Sequence, residues 1–88
     1  MNKFGTVLLS SKTGDIHIPD NHMIHGVINV QSGQVYLTYE ADDCTPIMAR
    51  WIIGVQEGES AEFEFDMQFI GVAIFNGEIT AFYAQGNW

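Results

Sequence analysis

The chain has 88 residues, of which 47% are hydrophobic and only 16% are charged, against about 25% charged in ordinary domains. This composition excludes a disordered chain. The formal net charge of −8, from 11 Asp and Glu against 3 Lys and Arg, argues against direct nucleic-acid binding and against an anionic membrane surface, because both need clustered cations. We expect one β domain over residues 1–88, small enough that a partner covers part of its apolar surface.

Turn signals rich in Gly, Asn, Asp and Pro separate short runs of Val, Ile, Phe, Tyr and Thr. The runs predict strands near Lys3–Ser10, Ile16–Ile18, Met23–Gln31, Gln34–Ala41, Met48–Val55, Ala61–Asp66, Gln68–Phe75 and Glu78–Gln85. A helix capped by Thr45, with Pro46 at its first position, is the alternative for the start of the fifth run. This spacing favours an all-β fold, an antiparallel meander that forms a small sandwich or a partly open barrel of about seven or eight strands.

The turn at Ser32-Gly33 predicts a hairpin between the third and fourth strands. Direct pairing sets Ile28 against Leu37 on a core face and His25 against Glu40 on the opposite face. A bulge would shift this register by one residue, which would move each side chain to the other face.

Acidic residues recur from Glu57 to Asp66, where charged and apolar side chains alternate. The alternation predicts a strand with Ala61, Phe63 and Phe65 facing inwards. Its outward carboxylates form a candidate acidic face, which consists of Glu57, Glu59, Glu62, Glu64 and Asp66. Such a face suits a solvated surface or contact with a basic partner. No calcium-loop pattern accompanies it.

The Asn76-Gly77 turn predicts a tight hairpin that pairs Phe75 with Glu78 and Ile74 with Ile79. One face of this hairpin then carries Ile70, Val72, Ile74, Ile79, Ala81 and Tyr83. The other face carries Phe69, Gly71, Ala73, Phe75, Thr80 and Phe82. A small domain covers only one apolar face, so the hairpin supplies a candidate interface. With the terminal indole, the candidate interface residues are Phe69, Phe75, Phe82, Tyr83 and Trp88.

No catalytic, metal or cofactor motif is present in the sequence. The soft metal ligands are His17, His22, His25 and Cys44. The spacing of His22 and His25 suits a zinc pair in a turn, but a closed site needs four ligands, and neither a C-x-x-C nor an H-E-x-x-H motif is present. No local context supports a triad of Cys44, His25 and Asp42, and the glycines form no nucleotide-binding pattern. The expectation is therefore a protein that is not an enzyme and binds no metal or cofactor.

Two stretches carry a resemblance to a known group of proteins. The first stretch lies between residues 18 and 37 and consists of Ile18-Pro19, Ile24, Val27, Gln31-Ser-Gly33 and Val35-Tyr36-Leu37. The second lies between residues 69 and 83 and consists of Phe69-Ile70-Gly71-Val72 and Ile79-Thr80-Ala81-Phe82-Tyr83. They resemble a family of small all-β proteins encoded by phages and prophages, whose function is not established. The Trp- and His-containing strand end of that family is replaced here by Ala81-Phe82-Tyr83. The resemblance implies a viral origin and an all-β fold, and it implies no site residues.

These observations favour a non-catalytic structural or interaction protein. The expected role is a virion accessory, such as a capsid decoration protein or assembly adaptor, that self-associates or docks on a capsid or other virion protein through apolar strand faces. An acidic inhibitor of a host defence or nucleic-acid enzyme is the alternative, and a small-ligand-binding β-barrel is a further one. No signal peptide or membrane span is indicated, so the expected location is the virion or the host cytoplasm.

Overall fold

A computed structural model describes residues 2–31, 33–42, 44–63 and 66–85. Within these residues the chain forms seven strands and no helix. The strands are β1 (Asn2–Leu8), β2 (Thr13–Pro19), β3 (His22–Asn29), β4 (Val35–Asp42), β5 (Ile47–Gln56), β6 (Met67–Phe75) and β7 (Glu78–Gln85). The all-β prediction is confirmed, and β5 begins directly after Pro46 without the alternative helix. No helix in this part of the chain is long enough to cross a membrane.

The strands form two antiparallel sheets, ordered β1-β4-β3 and β2-β5-β7-β6. The sheets lie face to face as a sandwich and do not close into a barrel. Only β3–β4 and β6–β7 are hairpins between consecutive strands, so the order departs from a simple meander. Strands of the other sheet intervene in the chain between β1 and β4 and between β2 and β5, whereas β5 and β7 are separated by β6 of their own sheet.

The core lies between the two sheets because alternate residues of each strand point inwards. Phe82, Ile18, Leu37 and Ile52 are the largest fully buried apolar side chains. Val35, Ile70, Ala73 and Ala84 complete the facing layers, together with Leu9 and Ile16.

The β6–β7 hairpin has the predicted register at its turn, where Phe75 faces Glu78 and Ile74 faces Ile79. Asn76 adopts φ 51° and Gly77 φ 81°, as a type I′ turn requires. A bulge between Phe69 and Gly71 then reverses the faces further along β6. The face assignments of Phe69 and Ile70 were therefore wrong, since Ile70 enters the core and Phe69 lies outside.

The predicted register of the β3–β4 hairpin was wrong by one residue near its turn. Val27 faces Leu37, whereas Ile28 faces Tyr36 and points outwards. A second irregularity between Ile24 and Gly26 lets His25 bulge out of the ladder. Its Nε2 still lies 2.9 Å from Glu40 Oε1, so the predicted contact between these two side chains is confirmed.

The two bulges bring β3 and β6 together at one corner of the sandwich. A Cβ on Gly71 would lie 2.9 Å from Val27 Cγ2, so only glycine fits this approach. The Asn29 side chain spans the corner, because its Nδ2 donates to Ile74 O at 2.7 Å and its Oδ1 accepts from Ile74 N at 2.8 Å. The Asn29 amide thus occupies the backbone groups that β6, as an edge strand, would otherwise expose.

The predicted strand Ala61–Asp66 is not present in the described part of that segment. Residues 61–63 and 66 have no strand structure, while Glu64 and Phe65 lie outside the described residues. The described residues between β5 and β6 instead form a connection that folds against the four-stranded sheet. The alternation of charged and apolar residues is typical of a strand, but no strand pairs with the described residues of this segment.

Candidate functional site

The outer surface of the four-stranded sheet is apolar across three adjacent strands. We call this surface the outer apolar face, and its members are Val55, Phe69, Val72, Ile74, Ile79, Ala81 and Tyr83. Phe69 and Val72 are each 54% exposed, and Ile74 and Ile79 are each 53% exposed. Cross-strand pairing makes these side chains neighbours, as in Val72 opposite Ala81 and Phe69 opposite Tyr83.

Among the residues that the structure describes, the positions of the outer apolar face on β5, β6 and β7 are aliphatic or aromatic. On the neighbouring strand β2, Asp15 lies opposite Trp51. Scattered apolar residues are ordinary on protein surfaces, but contiguous apolar patches mark interaction sites.

The outer surface of the three-stranded sheet differs in arrangement although it also exposes large apolar residues. Phe4 on β1 is 67% exposed and Met23 on β3 is 58% exposed. The central strand β4 separates them with the Glu40 carboxylate, which lies opposite both residues and contacts His25. This surface is therefore divided by a polar row, whereas the outer apolar face is continuous.

The connection after β5 forms one wall of a groove of about 340 Å³ on the outer apolar face. The apolar residues of the groove are Val55, Ala61, Val72, Ile79, Ala81 and Tyr83. Gln56, Glu57, Gly58 and Glu59 form its polar rim. The groove is thus apolar inside and acidic along one edge.

Contacts with the sheet hold the wall of the groove in place. Glu57 N donates to Ile79 O at 3.0 Å, and the Phe63 ring lies 4.8 Å from the Tyr83 ring at an interplanar angle of 53°. Glu59 Oε1 accepts from Gln56 N at 2.7 Å and from Lys12 Nζ at 3.1 Å. The backbone donor, followed by the lysine, lowers the pKa of the Glu59 carboxyl.

The structure separates the sequence-predicted interface residues into two groups. Phe69 and Tyr83 lie on the outer apolar face, with ring centroids 5.6 Å apart. Phe82 is 0% exposed, so the prediction that it belongs to an interface was wrong, while Phe75 is half-buried and packs against the core beside it. The physical reason is that the second sheet covers their side of the hairpin. Trp88 lies outside the described residues.

The described residues of the predicted acidic face have exposed carboxylates, although they do not lie on the predicted strand. Glu57, Glu59, Glu62 and Asp66 are all exposed, and Glu64 lies outside the described residues. Glu57 and Glu59 line the groove. The sequence had placed acidic and apolar features in separate surfaces, whereas the fold puts them side by side.

Three apolar members of the face, Val72, Ile74 and Ile79, were missing from the predicted interface. The hairpin register had already placed them together on the face that lacks Phe82. The interface prediction selected aromatic residues and omitted these aliphatic ones. The position of a residue in the hairpin register indicates better than its aromatic character which residues face outwards.

His22 and Cys44 make separate local contacts. His22 Nδ1 donates to Pro19 O at 2.6 Å, and its Nε2 accepts from Arg50 Nη1 at 2.6 Å. Arg50 is buried and also donates from Nε to Gln85 O at 3.0 Å, and this burial lowers its pKa to about 10. Cys44 is exposed, and its backbone N donates to Asp42 Oδ1.

No group of three or more His, Cys, Asp or Glu side chains suited to a metal ion occurs among the residues that the structure describes. His25 contacts Glu40, so the described contacts do not assemble Cys44, His25 and Asp42 into a triad. A further cavity of about 360 Å³ lies at one end of the sandwich, lined by Leu8, Leu9, Ser10, Gly33, Gln34, Val35, Phe75 and Asn76. None of these lining residues has an ionisable side chain.

Comparison with protein-family models, with curated proteins and with solved structures finds no match to this chain.

Proposed function

We propose that this protein is a non-catalytic interaction protein that docks on a protein partner through the outer apolar face. The observation that carries the proposal is the continuous apolar surface on β5, β6 and β7, where four large side chains are each more than half exposed. Leaving such a surface in water is unfavourable by about 25 cal/mol for each Å² of apolar area. Docking on a partner would remove that cost.

The rigidity of the surface supports the same proposal. Its side chains project from paired strands, and β6 is held at Ile74 by one hydrogen bond donated by the Asn29 side chain and one that it accepts. A preformed sheet face loses little conformational entropy on binding, so most of the gain from burial is kept as affinity.

The setting that we propose is assembly of a virus particle, with a capsid or other virion protein as the partner. This part rests on the resemblance of residues 18–37 and 69–83 to small phage-encoded β-proteins. Mass spectrometry of intact particles purified from the source of the gene tests it. The protein should be present in fixed stoichiometry, and its absence from particles would contradict the virion role.

A matched pair of substitutions tests the docking surface itself. Phe69→Lys places a charge on the outer apolar face, and Phe4→Lys makes the same change on the other sheet, where Phe4 is the more exposed residue. In the described part of the chain Phe69 contacts the Tyr83 ring and Phe4 contacts the His25 ring, so each substitution removes a ring contact. Both variants are expected to fold.

Association is then compared for wild type and both variants, by light scattering for self-association and by quantitative capture for other partners. Phe69→Lys should weaken association at least about tenfold, since an ammonium group in an apolar contact costs more than 1.4 kcal/mol. Phe4→Lys should leave it unchanged. If Phe69→Lys and Phe4→Lys associate equally well, docking through the outer apolar face is contradicted.

A further inference from the structure

The groove on the outer apolar face has an apolar interior and an acidic rim, and these two features specify what it binds. Its interior is built from Val55, Val72, Ile79, Ala81 and Tyr83, whereas Glu57 and Glu59 stand on its rim. Glu62 follows Ala61 on the same wall and is exposed. A ligand that fills the interior must be apolar, and a ligand that extends past the rim meets carboxylates.

The volume of about 340 Å³ is at the low end of the range for ligand clefts, roughly 300–1,000 Å³. It accommodates side chains that project from a partner and not a whole folded element. The contacts of Glu57 with Ile79 and of Phe63 with Tyr83 form the groove before any ligand binds.

The charge of the chain decides between a second copy and a different partner. With a net charge of −8, two copies repel each other, and close approach of their glutamate rims would add to that repulsion. Of the three cations in the sequence, Lys12 contacts Glu59, Arg50 is buried, and Lys3 lies on β1 of the other sheet. A second copy therefore brings little positive charge to this rim, whereas a basic partner complements it.

We propose that the groove binds a partner segment in which apolar side chains are flanked by lysine or arginine. This inference rests on the proposed function, because it names the kind of partner that docks on the outer apolar face. The apolar side chains occupy the groove and supply most of the affinity. The flanking cations pair with Glu57 and Glu62 and supply selectivity and salt dependence.

The test uses a fluorescent twelve-residue peptide with a central Phe-Leu pair and Lys or Arg on both sides. One control peptide carries Glu in place of the cations, and another carries Ser in place of Phe and Leu. Binding is measured by fluorescence anisotropy at about 0.05 M and about 0.5 M salt, where the Debye length falls from about 14 Å to about 4 Å. The first peptide should bind and both controls should bind at least about tenfold more weakly.

Two protein variants separate the apolar and acidic contributions. Ala81→Trp fills the groove and should weaken peptide binding at least about tenfold at either salt concentration. The double variant Glu57→Gln with Glu62→Gln should weaken binding about tenfold at low salt and have little effect at high salt. Both glutamates are exposed, so this variant is expected to fold even if Ala81→Trp does not.

The matched control is Asp20→Asn with Glu78→Gln, which changes the net charge by the same amount. Asp20 lies at the end of the four-stranded sheet opposite to the groove, and Glu78 projects on the inner side of β7. Both residues are exposed. This variant should bind the peptide within about twofold of wild type, because the carboxylates of the rim remain.

Equal binding of the Lys/Arg and Glu peptides, or equal loss in both double variants, would overturn the inference. So would a complete absence of peptide binding together with self-association that Phe69→Lys abolishes, since that result identifies a second copy as the occupant. In both cases the proposed function stands, as it depends on Phe69→Lys and not on the glutamates. If Phe69→Lys changes no association at all, the proposed function itself fails.

Discussion

Glu59 is an exposed carboxylate that accepts hydrogen bonds from the Gln56 backbone and from Lys12. These contacts lower its pKa in the folded state below its value in the unfolded chain. The unfolded chain therefore binds a proton more readily, and the contribution of Glu59 to stability is present above the unfolded pKa. That contribution is lost as the pH falls through the folded pKa.

We predict that Glu59→Gln lowers the free energy of unfolding at pH 7 and has a much smaller effect at about pH 3 or below. The physical reason is that the wild-type carboxyl is then becoming protonated and no longer attracts Lys12. Urea unfolding at both pH values measures the two differences. An equal difference at both would show that the carboxylate charge does not hold the wall of the groove.

Phe82 and Phe69 lie on the same hairpin and respond differently to the same substitution. Phe82 is fully buried, and removing a buried phenylalanine costs about 3–5 kcal/mol even before a charge is introduced. Total stability for a chain of this length is roughly 4–13 kcal/mol. Phe82→Lys should therefore unfold the protein, whereas Phe69→Lys should lose only about 1 kcal/mol with its Tyr83 contact.

Thermal unfolding followed by circular dichroism measures this contrast. The expected result is a cooperative transition for Phe69→Lys close to that of wild type, and no native transition for Phe82→Lys. A folded Phe82→Lys variant would mean that the core is not where the sheet packing places it.

At the scale of the element, the β6 bulge determines which side chains reach the outer apolar face. We predict that Gly71→Ala destabilises the protein by about 1–3 kcal/mol more than Gly14→Ala. Both glycines have unusual φ angles, 150° for Gly71 and 159° for Gly14. Only at Gly71 would the added Cβ meet a neighbour, Val27, at 2.9 Å. Chemical denaturation of the two variants isolates the cost of this close approach, and equal losses would contradict it.

Asn29 joins β3 to β6 through paired hydrogen bonds with the Ile74 backbone. Asn29→Ala should cost about 1–2 kcal/mol and increase hydrogen exchange at the Ile74 amide. Asn29→Asp keeps an acceptor for Ile74 N but has no donor for Ile74 O, so it should destabilise the protein while partly protecting that amide. Exchange followed by NMR distinguishes the two variants. Unchanged exchange in Asn29→Ala would show that the amide bridge does not protect the edge of β6.

The two bulges explain which parts of these elements were predictable. The Asn76-Gly77 turn determines the adjacent pairs, because local backbone geometry dictates the register there. The reversal at Phe69 depends on the close approach of β3, a contact between residues more than forty positions apart. Local patterns therefore placed Val72 and Ile74 correctly but not Phe69 or Ile70.

At the scale of the whole molecule, strand alternation and turn residues were sufficient for the all-β class and for the bounds of most strands. The order of the strands was not predictable, because β1–β4, β2–β5 and β5–β7 are long-range pairings that leave no local signal. The groove was unpredictable for the same reason. It requires the acidic connection after β5 to lie beside Val72 and Ile79.

The site also shows the limits of predicting an interface from residue type. Aromatic residues were predicted as interface anchors, but Phe82 lies in the core, Phe75 packs against the core, and Tyr83 lines the groove. A two-layer sandwich buries the inner face of each sheet. Which residues form the exposed outer faces can therefore be assigned only after the packing of the two sheets is known.

Site-specific photo-crosslinking tests the docking surface most directly. A benzophenone amino acid replaces Ile74 on the outer apolar face in one variant, and Thr6, an exposed residue of β1, in another. Both are irradiated in cells that naturally carry the gene. We expect a discrete crosslinked protein from position 74, lost when Phe69→Lys is added, and none from position 6. Adducts from position 6 alone, or none from position 74, would contradict docking through this face.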